Sequence, residues 1–488
     1  TLVDGGSATL LNSPLWFTAK WGAFQEGTDD SPPFPEAQGE WDRNGDGFSD
    51  AYRLSVNGFD LERDLYRAVG TALNRRATGA GSSVVTGSQP GVGALYQALF
   101  WSEYNDDSGN TVDWVGDVHA FLLDAEGNMY EDTNQNGQWD TADETIQVYY
   151  DSGLEKTRAC VGGVYNGTAC NGTVTELVDI NYLWSVAEWL NDPQISTVDN
   201  AFRSGSDYIS NVQERYIFSW FDFDNDGIVD DTSIIDNSGE VTYFSVDTFA
   251  NDSARSDALG AESPADVVRW LRGQEISGMR SRTYSQNGTS RIWRLGDVIS
   301  STPALVTKPS ERYDILWGDD SYSAFYQKYK DRRHMVYFGG NDGMIHAVNG
   351  GFFNASEGKY YLDQAMTVSA DSPTANTPEL GAEMWAYVPY NLLPHLKCLT
   401  DPFYNHQYYV DLAPRVFDVR IWEDDFDDSD AVHANGWGTI LVCGMRLGGT
   451  GVDVEIQGET RHVRSSYVIC DMTDPENPPK LLGEFTGP

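Results

Sequence analysis

"HMVYFGGNDGMIHAVN", residues 334–349, decides the fold. Two runs of strand-forming residues flank Asn341-Asp342-Gly343, whose residue types suit a tight reversal, so the segment is predicted to be two strands joined by a turn. "GAEMWAYVP" (381–389) follows as another strand. A weaker echo comes later, in "GTILVCGMRLGG" (438–449), "SSYVICDMTD" (465–474) and "PKLLGEFTG" (479–487). Each series runs strand, glycine-rich turn, strand, polar link, strand, which is the pattern of a β-propeller blade. At about 40 to 50 residues per blade, residues 291–488 hold some four blades, which leaves an open edge strand and an incomplete ring.

Upstream the texture differs, and residues 1–290 are expected to be a mixed α/β region. "DLERDLYRAVGTALNR" (60–75) has Asp60 as N-cap and Leu61, Leu65, Val69 and Leu73 on one helical face. "SPADVVRWLRG" (263–273) places Ser263 at the N-cap and Pro264 at the first helical position, with Asp266 closing a capping box. A third helix is expected in "NYLWSVAEWLND", ending before Pro193. "DWVGDVHAFLLD" and "RYIFSWFDF" alternate apolar and polar residues as strands do.

With 488 residues, two or more domains are expected. The formal net charge of −42 leaves no surplus of Lys and Arg to neutralise phosphate, which excludes nonspecific attraction to nucleic acid or to an anionic membrane surface. Cations are the natural partners. Aromatic residues make up 13% of the chain, too many for a disordered acidic tail, so the charge is assigned to a folded surface. No apolar run reaches the length that spans a bilayer, and no direct membrane insertion is expected. The chain opens with Thr1, as a processed or partial chain would, and its lack of a signal peptide says nothing about export.

Cys160 and Cys170 bracket "VGGVYNGTA", whose Gly-Gly and Asn-Gly are turn formers. A short hairpin would bring the two sulfurs within bonding distance, so a disulfide and an oxidising compartment are expected. Cys398, Cys443 and Cys470 lie in apolar or strand-like surroundings and are expected to be small core residues.

Three acidic stretches share one spacing. In "DFDNDGIVD" Asp222, Asp224 and Asp226 take loop positions one, three and five, Gly227 makes the turn at six, Ile228 offers its carbonyl at seven, and Asp230 sits at nine. A hard dication takes six to eight oxygens at about 2.3–2.6 Å, and alternate residues of a tightly curled loop aim side chains at one centre. The first loop repeats this with Asp42, Asn44, Asp46, Gly47, the Phe48 carbonyl and Asp50. The second uses Asp132, Asn134, Asn136, Gly137, the Gln138 carbonyl and Asp140, with Asp143 at position twelve. Asp, Asn and Gly also mark plain solvated turns, but three matches in one register predict Ca²⁺. Position twelve is Arg53 in the first loop and Ser233 in the third, so a final ligand must come from elsewhere or from water. Loops of this kind are expected to bind weakly, at about 10⁻⁴ to 10⁻³ M, and to act as structural staples in a calcium-rich exterior. "EDDFDDSD" (423–430) lacks the glycine and the spacing and reads as a solvated loop.

No histidine pair has metal-ligand spacing, and neither a nucleophile elbow nor a phosphate loop occurs. The blades resemble those of quinoprotein dehydrogenases, yet the adjacent cysteine pair of those enzymes is missing. The chain is therefore read as a non-enzyme.

"WRLGDVISSTPALV" (293–306), "VYFGGNDGMIHAVNGG" (336–351), "YYVDLAPRVFDV" (408–419), "GWGTILVCGMRLGG" (436–449) and "DMTDPENPP" (471–479) resemble, in this order, the C-terminal propeller of type IV pilus tip-associated adhesins and biogenesis factors of the PilC/PilY family. "WVGDVHAFLLDAEGNMY" (114–130) and "VVRWLRGQEISGMRSR" (267–282) resemble the segment preceding that propeller. The resemblance implies a secreted bacterial protein at the pilus tip or outer cell surface. It would be seated on minor pilins, promote assembly, oppose retraction and attach to host or abiotic surfaces, with calcium part of the picture. Two departures stand out. No D-x-S-x-S adhesion motif is visible, and the last blades, with the calcium loop linked to retraction control, are missing. Two rival readings remain open: a quinone-dependent propeller dehydrogenase, which a visible cofactor spectrum would reveal, and a passive calcium-bound surface scaffold, which would not co-purify with minor pilins.

Overall fold

Residues 335–338 are all buried, but they do not enter one core. Met335 and Tyr337 pack into one hydrophobic cluster with Trp385 and Tyr387, while Val336 and Phe338 pack into another with Val118 and Leu122. A strand covered on both faces has no polar side to show, which is why this stretch reads as a continuous apolar run.

The protein is described by a computed structural model covering residues 14–22, 38–42, 78–79 and 93–486, without 107, 125, 152–153, 155, 196–207, 211–212, 233, 235–237, 287 and 375–376. The helix expected at 60–75 lies outside the described residues. The chain forms two units, Thr1–Arg75 and Arg76–Pro488. In the first, helices Pro14–Gly22 and Gln38–Trp41 meet through Trp16 and Trp41, ring centroids 5.4 Å apart, with the Lys20 ammonium 4.2 Å from the Trp41 ring centroid.

The second unit is mainly β. Strands β1 (Thr78–Gly79), β2 (Gly93–Asn105), β3 (Thr111–Leu123), β4 (Met129–Tyr130), β5 (Thr145–Asp151), β6 (Lys156–Val161) and β7 (Thr173–Glu176) form an antiparallel sheet in chain order, with β8 (Trp184–Ser185) also on β3. Ala94, Tyr96 and Ala98 of β2 face the core shared with Val336, while Leu95 and Leu99 face a separate core with Phe121 and Ile146. The expected helix at 181–192 is shortened to Val186–Leu190, because Trp184 and Ser185 pair with Ala120 and His119 of β3. Ser185 then caps the helix by accepting the Glu188 N–H.

β9 (Ile217–Trp220) and β10 (Val241–Tyr243) form a hairpin around the third acidic loop. β11 (Thr283–Gln286) and β12 (Thr289–Ile292) make a separate hairpin. β13 (Ala304–Val306), β14 (His334–Gly339), β15 (Ile345–Asn354) and β17 (Glu383–Val388) are a four-stranded antiparallel meander, with β16 (Lys359–Tyr361) beside the end of β15. β9 joins β17 in parallel. Strands from both sides of residue 290 thus share one sheet, so a division there would cut through that sheet.

β18 (Arg415–Arg420), β19 (Trp437–Gly444), β22 (Ser466–Asp471) and β23 (Lys480–Thr486) form a second four-stranded meander, with hairpin β20 (Val452–Ile456) and β21 (Glu459–Val463) inserted before β22. Among the described residues 291–486 there are two such meanders rather than four. The helices Tyr313–Trp317 and Asp320–Tyr329, the 3₁₀ segment Tyr390–Thr400 and the inserted hairpin lengthen each repeat beyond a minimal blade. Cys443 and Cys470 lie buried in the core between the sheets, as expected; burial pushes the Cys443 thiol up to about 12. Cys398 is half-buried.

Helix Pro264–Leu271 forms where Ser263-Pro264 predicts, burying Val267, Val268, Trp270 and Leu271. The Ser263 side chain makes no capping bond, and Asp266 instead pairs with Arg269 at 3.0 Å. A charged chain crosses the middle of the sheet. Arg215 donates twice to Glu383 at 2.8 Å, His346 lies 2.9 Å from Glu383 and 3.2 Å from Asp342, and Asp342 accepts the Gly296 N–H. Each buried charge there has a partner, as burial in low dielectric demands.

Candidate metal centre

The third acidic loop follows directly from β9, whose buried aromatic residues fix the point where the chain turns outward. Asp222 is buried at the root of the loop. Its Oδ1 accepts the Asp226 N–H at 3.2 Å and its Oδ2 the Gly227 N–H at 2.9 Å. The Asp226 carboxylate accepts the Ile228 N–H at 2.8 Å, and the curl is closed by left-handed backbone at Asn225 and Gly227, φ 59° and 77°. As a result Asp222, Asp224 and Asp226 each present a carboxylate oxygen within 4.8 Å of the others. Among the described residues this is the one group of three metal-ligating side chains so closely placed.

The sequence gives no acid at position twelve of this loop, but the fold supplies one. Glu240 is buried just ahead of β10, where its carbonyl accepts the Phe221 N–H across the hairpin. Its Oε1 accepts the Phe223 N–H at 3.2 Å, and its Oε2 accepts the Asp230 N–H at 3.2 Å and the Trp220 indole N–H at 2.9 Å. The signal was an acid immediately before a strand that returns antiparallel to β9. Register, not spacing, brings it back to the loop. Arg461 braces the root from outside the loop, donating to the backbone carbonyls of Asp222 and, at 2.9 Å, Phe223.

The second loop joins β4 to β5 and has the same internal wiring. Asp132 is buried and accepts the N–H groups of Asn136 and Gly137 at 2.9 and 2.8 Å. Asp143, the acid at position twelve, accepts the Thr133 N–H at 3.1 Å and the Asp140 N–H at 2.8 Å. Asn134 and Asn136 turn their amide N–H groups to Asp140, and the Gln138 side chain donates to the Glu357 carbonyl at 3.0 Å. Of the first loop, Asp42 is described: it is buried at the end of helix Gln38–Trp41 and accepts the Gln38 amide at 2.7 Å. Asn44, Asp46, Phe48 and Asp50 lie outside the described residues.

The electrostatics are those of crowded acids. Burial raises the Asp222 carboxyl above its ordinary value, the loop amides counter this, and Glu240 adds to it. The Glu240 charge raises Asp230. Burial, with repulsion from Asp143 and Asp140 behind the opposing amide bonds, pushes Asp132 up to about 6. The grouped carboxylates of Asp222, Asp224 and Asp226 are the oxygen donors a hard cation takes, with Asp230, the Ile228 carbonyl and Glu240 bordering them. The second loop has the same donor types in Asp132, Asn134, Asn136, Asp140, Asp143 and the Gln138 carbonyl, without three carboxylates so closely placed. When bound, Ca²⁺ would supply the positive charge that offsets this repulsion. In contrast, the run 423–430 forms an exposed 3₁₀ turn at Glu423–Asp425, and His433 there stacks on Trp422 and pairs with Asp471 at 2.9 Å. The Cys160 and Cys170 sulfurs stand 2.00 Å apart at the end of β6.

No family model matches the chain. A type IV pilus biogenesis factor PilY1 homolog of Xylella fastidiosa (strain Temecula1) is 23% identical over 458 residues, covering 91% of this chain and 23% of that relative. Type IV pilus biogenesis factor PilY1 of Pseudomonas aeruginosa (strain PAK) is 29% identical over 240 residues, covering 48% of this chain and 15% of that protein. The chain therefore spans less than a quarter of the length of these curated relatives. Among solved structures, the Pseudomonas aeruginosa PilY1 C-terminal domain is 24% identical over 37% of this chain and 25% of that one, and its TM-score of 0.20 is too low to bear on the fold. The resemblance to the PilC/PilY family read from the sequence is borne out by the relatives' names.

Proposed function

We propose that this chain is the calcium-stabilised part of an extracellular type IV pilus biogenesis factor, carried at the pilus tip on minor pilins. There it promotes assembly, opposes retraction and attaches the cell to host or abiotic surfaces, with no chemistry of its own. The observation that carries this reading is the similarity to a curated type IV pilus biogenesis factor homolog along 91% of the chain. The two four-stranded meanders support a propeller architecture, with β9 and β10 added to the first of them. The paired cysteines support an oxidising exterior.

Calcium enters as a staple. The ion would be held by Asp222, Asp224, Asp226, Asp230 and the Ile228 carbonyl at one site, with Glu240 as the added acid, and by Asp132, Asn134, Asn136, Asp140, Asp143 and the Gln138 carbonyl at another. Each site sits between paired strands, so an ion there ties the loop to its sheet. Residues 42–50 are proposed as a third site on their spacing alone. In-frame deletion of residues 93–486 from the chromosomal copy tests the pilus role. Loss of surface pili with normal pilin levels, and loss of co-purifying minor pilins, is expected; unchanged piliation and unchanged co-purification would refute it.

A further inference from the structure

A cleft of about 470 Å³ opens beside β3, and none of its lining residues is a carboxylate of the acidic loops. One wall is aromatic. Trp101 and Tyr104 of β2 are half-buried there and pack on Trp293, with ring centroids 5.3 and 5.0 Å away, and Tyr284 packs on Tyr104 at 5.9 Å. The polar ends of the deeper rings are already committed: the Trp293 indole donates to the Gly116 carbonyl at 2.9 Å, and the Tyr284 hydroxyl accepts from Asn191 at 3.1 Å. What these rings have left to offer a ligand is their π surface.

The rest of the lining is acidic. Asp117, Asp179 and Glu188 border the cleft, and none of its lining residues is a lysine or an arginine. Asp117 is buried and locked in place, accepting from the Ser185 hydroxyl and from the Ala187 N–H at 2.9 Å, with His119 Nδ1 3.2 Å from its Oδ2. Glu188 is exposed at the mouth. Desolvation and the Asp117 charge raise its carboxyl, and Arg291, whose field opposes them, forms no ion pair with it among the described residues. A neutral ligand could donate hydrogen bonds to these carboxylates but would leave their charge unbalanced, which a cation would not. A bare metal ion would leave most of the volume and the whole aromatic wall unused, because the cleft has the size of a small-molecule pocket, about 300–1,000 Å³.

We propose that this cleft binds an organic ammonium group, with the cation set between the Asp117 and Glu188 carboxylates and the faces of Trp101 and Tyr104. Cation–π attraction and charge pairing act together on such a ligand. The shared chemistry is a primary or quaternary ammonium on a short alkyl arm, presented by a lysine side chain or by a choline headgroup. The inference does not depend on the pilus role.

The test is a titration of the full chain, followed by tryptophan fluorescence and calorimetry, with calcium present throughout because Gln135 of the loop at 132–143 also borders the cleft. The probes are choline, N-acetyl-lysine methylamide, the uncharged choline isostere 3,3-dimethylbutanol, and glucose and galactose. Saturable binding of choline or the lysine derivative, with the isostere and both sugars weaker by about tenfold or more, supports the proposal. Glu188→Gln, at an exposed position where folding is not at risk, is expected to weaken binding about threefold to tenfold, and so is Trp101→Leu. The proposal is overturned if neither ammonium probe binds, if the isostere or a sugar binds as well, or if Glu188→Gln binds as tightly as the unaltered chain.

Discussion

Glu240 stands to the loop at 222–230 as Asp143 stands to the loop at 132–140. Each carboxylate accepts the backbone N–H groups of the second and ninth loop residues, Phe223 and Asp230 in one case, Thr133 and Asp140 in the other. One acid follows its loop closely in sequence, and the other comes back just ahead of a paired strand. The same bracket around two loops assigns the same task to both, and it accounts for the missing acid at Ser233.

Glu240→Gln keeps the shape of the side chain and removes one charge from the proposed ligand set. Calcium affinity at that loop is expected to fall roughly tenfold or more, since affinity follows ligand charge. Titration calorimetry of the purified chain checks this, with Glu262→Gln, at an exposed position, as the variant that leaves affinity unchanged.

His346 makes stability depend on pH. Burial alone would lower its pKa, but the Asp342 and Glu383 carboxylates more than offset that and raise it to about 9. A histidine held above its unfolded value of about 6.5 contributes stability that is fully present below that pH and lost as pH rises through the folded value. Urea unfolding between about pH 6 and pH 9.5 should therefore show stability falling with pH across this window. His346→Gln should flatten the slope; an equal slope in the variant would contradict the assignment.

Arg215 is the other cation on Glu383, bonded through both guanidinium arms and 1% exposed. Arg215→Met leaves a buried carboxylate with His346 alone and should cost about 3–5 kcal/mol in denaturant unfolding. Arg215→Met combined with Glu383→Leu should recover part of that loss, because replacing a buried pair costs less than breaking it.

Gly339 ends β14 against the chain at Val410. A Cβ there would lie 2.3 Å from the Val410 carbonyl oxygen, a backbone atom that cannot swing aside. Gly339→Ala should destabilise by about 1–3 kcal/mol, as overpacking does. Gly451→Ala, where the nearest atom is 4.0 Å away, should not.

The strands around 334–354 were legible because the turn is local: Gly343, at φ 88°, takes the left-handed backbone its position predicts. The helix at 264–271 was legible from Pro264. Two things were not. The parallel pairing of Ile217–Trp220 with Glu383–Val388 joins segments more than 160 residues apart, and nothing in either stretch names the other. Glu240 was hidden for a related reason. Its place beside Asp222 follows from the register of Trp220 with Val241, which no spacing rule for a continuous loop contains. Trp184 and Ser185 carry a helical pattern, yet they pair with β3 as β8, where tertiary pairing overrides local preference.

The central claim is that calcium ties the acidic loops to their sheets, and the most direct measurement is the melting midpoint of the whole chain in millimolar calcium and in EGTA. A midpoint about 2–4 °C higher with calcium is predicted, as for ligands that bind the folded state alone, with the gain reduced in Glu240→Gln. Identical midpoints in the two buffers, or a gain that Glu240→Gln leaves whole, would contradict it.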